Sequence, residues 1–151
     1  RLHTPASPHY AAELDRTAID VEKLAIPRTP YPLVIEAAGG LAVPLTSQTL
    51  QIDVIARWKV PVVLCAATRL GTINHTLLSI EALKRRAIPI LGVAFVGDAA
   101  PSSEQAIAQF GGVKSLGRLP HLDPLNAATL KTAFRQGFNV GQILGLGANG
   151  P

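Results

Sequence analysis

Glu36 closes a short apolar run, Leu33-Val34-Ile35, and is followed at once by Ala37-Ala38-Gly39-Gly40. A carboxylate at the end of an apolar segment is costly to desolvate unless a cation meets it. Two kinds of cation would serve. Mg2+ facing phosphate oxygens takes such a ligand, and a lysine or arginine would make an ordinary ion pair instead. The glycines that follow either let the backbone approach a ligand closely or simply turn the chain. A second junction, Leu70-Gly71-Thr72-Ile73-Asn74-His75, comes shortly after the run Val62-Val63-Leu64-Cys65. It gathers a hydroxyl, a carboxamide and an imidazole at the start of a helical pattern. Thr72 suits the N-cap position. Asn74 and His75 fall in the first turn, where free N–H groups and the positive end of the helix dipole favour a carboxylate or phosphate. A plain surface helix start would use the same residues. In an open α/β sheet, the crevice beyond the carboxyl ends of the strands is where ligands bind.

These residues need elements to hold them. Leu2 to Pro8 reads as loop, Ala11 to Leu14 as the start of a short helix, and Ile19 to Pro32 as a proline-broken connector. A strand is predicted at about 33–38, then a helix at about 49–59 with Leu50, Val54 and Trp58 on one face. Next come a strand at about 61–66, a helix at about 73–86, a strand at about 88–95 and a helix at about 103–110. Ile73, Leu77, Ile80 and Leu83 recur at helical spacing within the second helix. A short strand near 115–117, the turn Leu119-Pro120-His121 and a helix from Ala127 to Phe134 complete the pattern. Strands alternating with helices predict an α/β fold, a parallel sheet covered by helices on both faces. One domain over 1–138 and a glycine-rich tail over 139–151 are expected.

Composition narrows the function classes. With 48% apolar and 16% charged residues, the chain is expected to fold. No apolar stretch reaches the ~18 residues of a membrane span, and no signal peptide is visible. The net charge of +4 is modest, and its only basic cluster, Lys84-Arg85-Arg86, falls at a helix end, where cations meet the carbonyl end of the dipole. Without interleaved aromatics it does not read as a nucleic-acid surface. Cys65 is the single cysteine, expected as a small buried hydrophobe in a reducing compartment. His3, His9 and His121 lack metal-ligand spacing. The chain holds no G-x-x-x-x-G-K-[ST] loop and no nucleophile elbow. It begins with Arg1 and contains no methionine, so Arg1 is not expected to be a native start.

Several longer segments carry more. Ser7-Pro8-His9-Tyr10-Ala11-Ala12, Val34 through Leu45, Pro61-Val62-Val63-Leu64, Leu70 through His75 and Gly117-Arg118-Leu119-Pro120 occur in that order. On these segments, from about Thr4 to Phe138, the chain resembles the dethiobiotin synthetase family. The resemblance implies a P-loop NTPase-like α/β fold, a cytoplasmic homodimer, and Mg2+ with ATP as co-substrate. It also implies a reaction: 7,8-diaminopelargonate captures CO2 as a carbamate, ATP phosphorylates it, and the second amine closes the ring. By the same resemblance Glu36 is the Mg2+ carboxylate and the catalytic residue of this chain, with Ala37, Ala38 and Gly39 beside nucleotide and substrate. Gly71, Thr72 and Asn74 hold the substrate carboxylate across the dimer interface. Val96 and Gly97 fall where adenine is contacted, and Pro120, His121 and Leu122 fall on the base-side loop.

Two departures from the family pattern stand out. Many members carry an asparagine where Val96 stands, able to hydrogen-bond the adenine edge. Valine cannot, so either nucleotide selectivity differs or backbone groups near Gly97 and Asp98 take over. The family's N-terminal third, with its phosphate loop, lysines and second Mg2+ carboxylate, has no counterpart here, and residues 1–151 alone are expected to be inactive. Two other classes stay open: a related P-loop ligase or partition-type ATPase, and a non-catalytic α/β interaction module. Neither a nucleic acid nor a membrane is expected as partner.

Overall fold

The computed structural model describes residues 1–143 of the chain. Two compact units are present, Arg1–Val60 with Arg86–Ile88, and Pro61–Arg85 with the chain from Pro89 onward.

The second unit is built on β1 (Val62–Ala67), β2 (Ile90–Val96) and β3 (Ser115–Leu119), all parallel in the order β1-β2-β3. Parallel neighbours need crossovers, and α3 (Thr72–Arg85) and α4 (Pro101–Gly111) supply them. Alternation along the strands turns Ala66, Val93 and Phe95 toward Ile80 of α3 and Ile107 of α4, forming one buried cluster. The α/β expectation and these five elements are borne out, with bounds shifted by a few residues, but α3 and α4 cover the same face of the sheet and the opposite face of β1 is exposed at Val63 and Cys65, so the expected helix cover on both faces is not seen there. Lys84 and Arg85 do end α3, and the Lys84 ammonium donates to the Gly111 carbonyl at 2.7 Å. α5 (Ala127–Gly137) lies beside β3, where Gly117 at φ +132° has no room for a side chain. A Cβ there would stand 1.9 Å from the Gly137 carbonyl oxygen.

Not every expectation holds in this unit. Cys65 is exposed, because it lies on the β1 face opposite the one turned toward α3 and α4. Ile73 is 38% exposed as well: the buried line of α3 runs through Thr72, Thr76, Ile80 and Leu83. The expected tail begins with one helical turn, α6 (Val140–Ile143), and its remainder, 144–151, lies outside the described residues.

In the first unit, α1 (Pro8–Leu14) buries Ala11 and Ala12, and α2 (Gln51–Trp58) buries Gln51, Ile52, Val54 and Ile55. The buried face of α2 therefore keeps Val54 but not Leu50 or Trp58. Leu50 caps the helix, its N–H donating to the Asp53 carboxylate at 3.0 Å. Trp58 is half-buried and donates its indole N–H to the Leu24 carbonyl at 2.7 Å. Asp15 ties down the N-terminal residues: the Thr4 hydroxyl at 2.6 Å, then the His3 N–H at 2.5 Å, hold its carboxyl below the usual carboxylate range. Among the described residues no helix is long and apolar enough to cross a membrane.

The strand predicted at 33–38 is absent. Residues 31–40 are all exposed, Val34 by 93%, and no described strand pairs with them. A strand exists through its ladder, and an apolar run with no partner is only extended chain.

Candidate functional site

The segment around Glu36 is held by one side chain. Gln51, 6% exposed at the first turn of α2, accepts the Ala38 N–H on Oε1 at 2.9 Å and donates from Nε2 to the Gly40 carbonyl at 3.1 Å. Its carboxamide satisfies one backbone donor and one acceptor of the loop, which a carboxylate or an amine could not do. Gly39 turns at φ +86°, with its N–H on the Ala37 carbonyl at 3.1 Å. Glu36 itself is exposed and makes no ion pair with any described residue. The lysine or arginine partner allowed for in the sequence is thus not there. A single free carboxylate still suits Mg2+, which takes one or two carboxylates and completes its octahedron with water and phosphate oxygens. No group of three or more His, Cys, Asp or Glu side chains among the described residues forms a preformed metal cage.

At the α3 start the helix opens one residue before Thr72. Gly71, at φ +89°, accepts the His75 N–H on its carbonyl at 3.0 Å and so occupies the cap position. Thr72 is the first helical residue, only 9% exposed, and is not the N-cap. The glycine wins because a left-handed turn is needed there. Its Cβ position would lie 3.3 Å from His75 Cδ2. Asn74 and His75 are exposed in the first turn, as expected. Thr72 and Thr76, one turn apart and both buried, line an open groove of about 440 Å3 with Arg69, His75, Ser79 and the backbone end of β1. Gly71, Thr72 and Asn74 are thus gathered in a single turn.

The carboxyl ends of all three strands meet nearby in this unit. The N–H of Thr68, just after β1, donates to the Val96 carbonyl at 2.9 Å, and its hydroxyl reaches the same oxygen at 3.3 Å. Gly97, buried at φ +124°, donates to the Leu119 carbonyl at 2.9 Å. A Cβ on it would meet the Thr68 hydroxyl at 2.5 Å and lie 3.6 Å from His121 Nε2. Val96, Gly97 and His121 therefore share one surface, with Pro120 exposed and Leu122 half-buried in the same loop. Arg118 braces this rim from β3, donating to the Gly97 carbonyl at 2.9 Å and lying 3.7 Å from Glu104 of α4. Gln51, Thr68, Thr76 and the Arg118–Glu104 pair were not legible as functional. Of these, only Arg118 lay in a segment that stood out, Gly117 through Pro120.

Comparison with known proteins bears directly on these surfaces. A family model described as an AAA domain matches residues 1–129. The chain is 59% identical over 140 residues to the ATP-dependent dethiobiotin synthetase BioD of Brucella anthropi, covering 93% of this chain and 66% of that protein. It is 60% identical over 144 residues to the protein of the same name from Rhodopseudomonas palustris (strain HaA2), covering 95% and 68% respectively. The one from Nitrobacter hamburgensis is 54% identical over 144 residues, again covering 95% of this chain and 68% of the relative. The chain thus spans about two thirds of the length of these curated relatives.

Proposed function

This chain belongs to the dethiobiotin synthetase family, and from that premise we propose that the complete protein is an ATP-dependent ligase of biotin biosynthesis. Its substrates are 7,8-diaminopelargonate, CO2 and ATP, and its product is dethiobiotin. The observation that carries this reading is the identity of 59–60% maintained over 93–95% of the chain. The α3 start supports it, because the substrate's carboxylate is an anion of the kind a helix N-terminus receives.

One amine of the substrate takes up CO2 as a carbamate, a carbamate oxygen receives the γ-phosphoryl group, and the second amine attacks the carbonyl carbon as phosphate leaves. The chain's own residues bind and orient. After Gly71, the first-turn N–H groups of Ile73 and Asn74 and the Asn74 amide hold the substrate carboxylate, with Thr72, whose own N–H goes to the Arg69 carbonyl at 3.0 Å, beneath them, in a homodimer that shares this site across its interface. Val96, Gly97, Pro120, His121 and Leu122 take the nucleoside, while Ala37, Ala38 and Gly39 lie along nucleotide and substrate. Glu36 holds Mg2+, which neutralises charge on the phosphates when bound. The protein works in the cytoplasm. The test is product formation: the complete protein with diaminopelargonate, bicarbonate, ATP and Mg2+ should yield dethiobiotin and phosphate in equal amounts. Absence of dethiobiotin overturns the reading.

A further inference from the structure

We infer that the groove between α3 and the end of β1 binds a small oxyanion, a carboxylate or bicarbonate, through the Thr72 and Thr76 hydroxyls and the Arg69 guanidinium. The groove is separate from the proposed contact at Asn74. It rests on the proposed reaction only for which of the substrates supplies the anion.

Thr72 and Thr76 are 9% and 5% exposed, yet neither hydroxyl has a hydrogen-bond partner among the described residues. Every side-chain nitrogen or oxygen that is sealed from solvent there does have one. The small accessible part of each threonine therefore includes its hydroxyl, and it opens onto the groove that both residues line. A hydroxyl in a helix commonly turns back to the carbonyl one turn earlier. Half-buried Ser79 does so, donating to the His75 carbonyl at 2.9 Å. The two threonines withhold theirs. A position serving packing alone is met by valine, which has nearly the same shape, because burying an unbonded hydroxyl costs free energy.

The charge around these hydroxyls favours an anion. Arg69 lines the groove, is exposed and makes no ion pair among the described residues, and no aspartate or glutamate lines it. A guanidinium fork pairs with carboxylate oxygens, and a hydroxyl rotates to donate to them. Thr72 and Thr76 stand four apart on one helix face, where Cβ atoms are about 5–6 Å apart. At that separation each hydroxyl reaches one oxygen of the same O–C–O group. Asn74 is turned roughly 200° around the helix from Thr72 and does not line the groove. An anion held here is thus not the one held by the Ile73 and Asn74 N–H groups.

Thr76→Val and Thr76→Ser in the complete protein test this, first by thermal unfolding in sodium bicarbonate or sodium acetate against sodium chloride at equal ionic strength. Both anions should raise the melting temperature of the native protein and of Thr76→Ser, and should leave Thr76→Val as it is in chloride. In dethiobiotin formation Thr76→Val should raise one KM by about tenfold or more with kcat little changed. A rise for bicarbonate identifies the carbon source as the anion, and a rise for diaminopelargonate identifies the substrate's own carboxylate. Arg69→Gln should raise the same KM. Absence of an anion-dependent shift in the native protein, or an equal shift in Thr76→Val, overturns the inference, as does a Thr76→Val enzyme with both KM values unchanged. The threonines then face water alone. If no dethiobiotin forms, the proposed reaction fails, and the melting comparison still decides the groove.

Discussion

Leu33-Val34-Ile35 and Val62-Val63-Leu64 are both short runs of β-formers with a glycine-bearing junction beyond them, yet only the second is a strand. The second is laddered against β2 over its whole length, and its inward side chains reach Ile80 and Ile107. The first has nothing laddered to it and is exposed throughout. Its junction owes its order to a side chain from elsewhere, Gln51, whereas the Gly71 junction is ordered by the helix that follows it. The lesson is that a strand-like run reports only the capacity to pair. Whether it pairs is decided by what lies beside it.

That contrast can be broken most forcefully in the laddered unit. Ile107 is fully buried in the cluster under the sheet, so Ile107→Ala should cost about 2–5 kcal/mol in urea unfolding. A loss below about 1 kcal/mol would show that the cluster is not packed as described. The next effect belongs to the exposed segment and appears in activity alone. Glu36 touches no described cation, so Glu36→Gln should leave the melting temperature unchanged while kcat of the complete protein falls about a hundredfold or more. An unchanged rate at saturating Mg2+ refutes the metal role. Smaller again is Asn74→Ala in the first turn of α3. Losing one hydrogen bond to a carboxylate is worth about 1.5–3 kcal/mol, so diaminopelargonate binding should weaken roughly ten- to a hundredfold. ATP affinity should not move. Equal losses for both ligands would mean a folding defect.

How much of this was legible follows from where the information lies. The 62–67, 72–85 and 90–96 elements could be read because periodicity and glycine punctuation are local signals. The composition of the α3 start was legible too, but not the choice of Gly71 over Thr72 as cap, which depends on a positive φ that only the folded turn shows. Gln51 could not be read at all: a glutamine between Leu50 and Ile52 looks like a surface residue until the loop at 38–40 is laid against it. Cys65 was misread for a related reason. Alternation says which residues share a face, and says nothing about which face is covered.

The smallest effect tests the comparison at its centre, with one substitution made in both regions. Val93 is 1% exposed and Val34 is 93% exposed. Valine to alanine removes the same two methyl groups' worth of surface in either place, so only the surroundings differ. Val93→Ala should cost about 2 kcal/mol, since it loses burial and leaves a void beside Phe95 and Ile107. Val34→Ala in this chain should change stability by less than about 0.5 kcal/mol, as exposed positions usually do. Urea unfolding followed by circular dichroism measures both. A loss above about 1 kcal/mol at position 34 would mean that the run is packed after all, and that its strand-like composition is already at work in this chain.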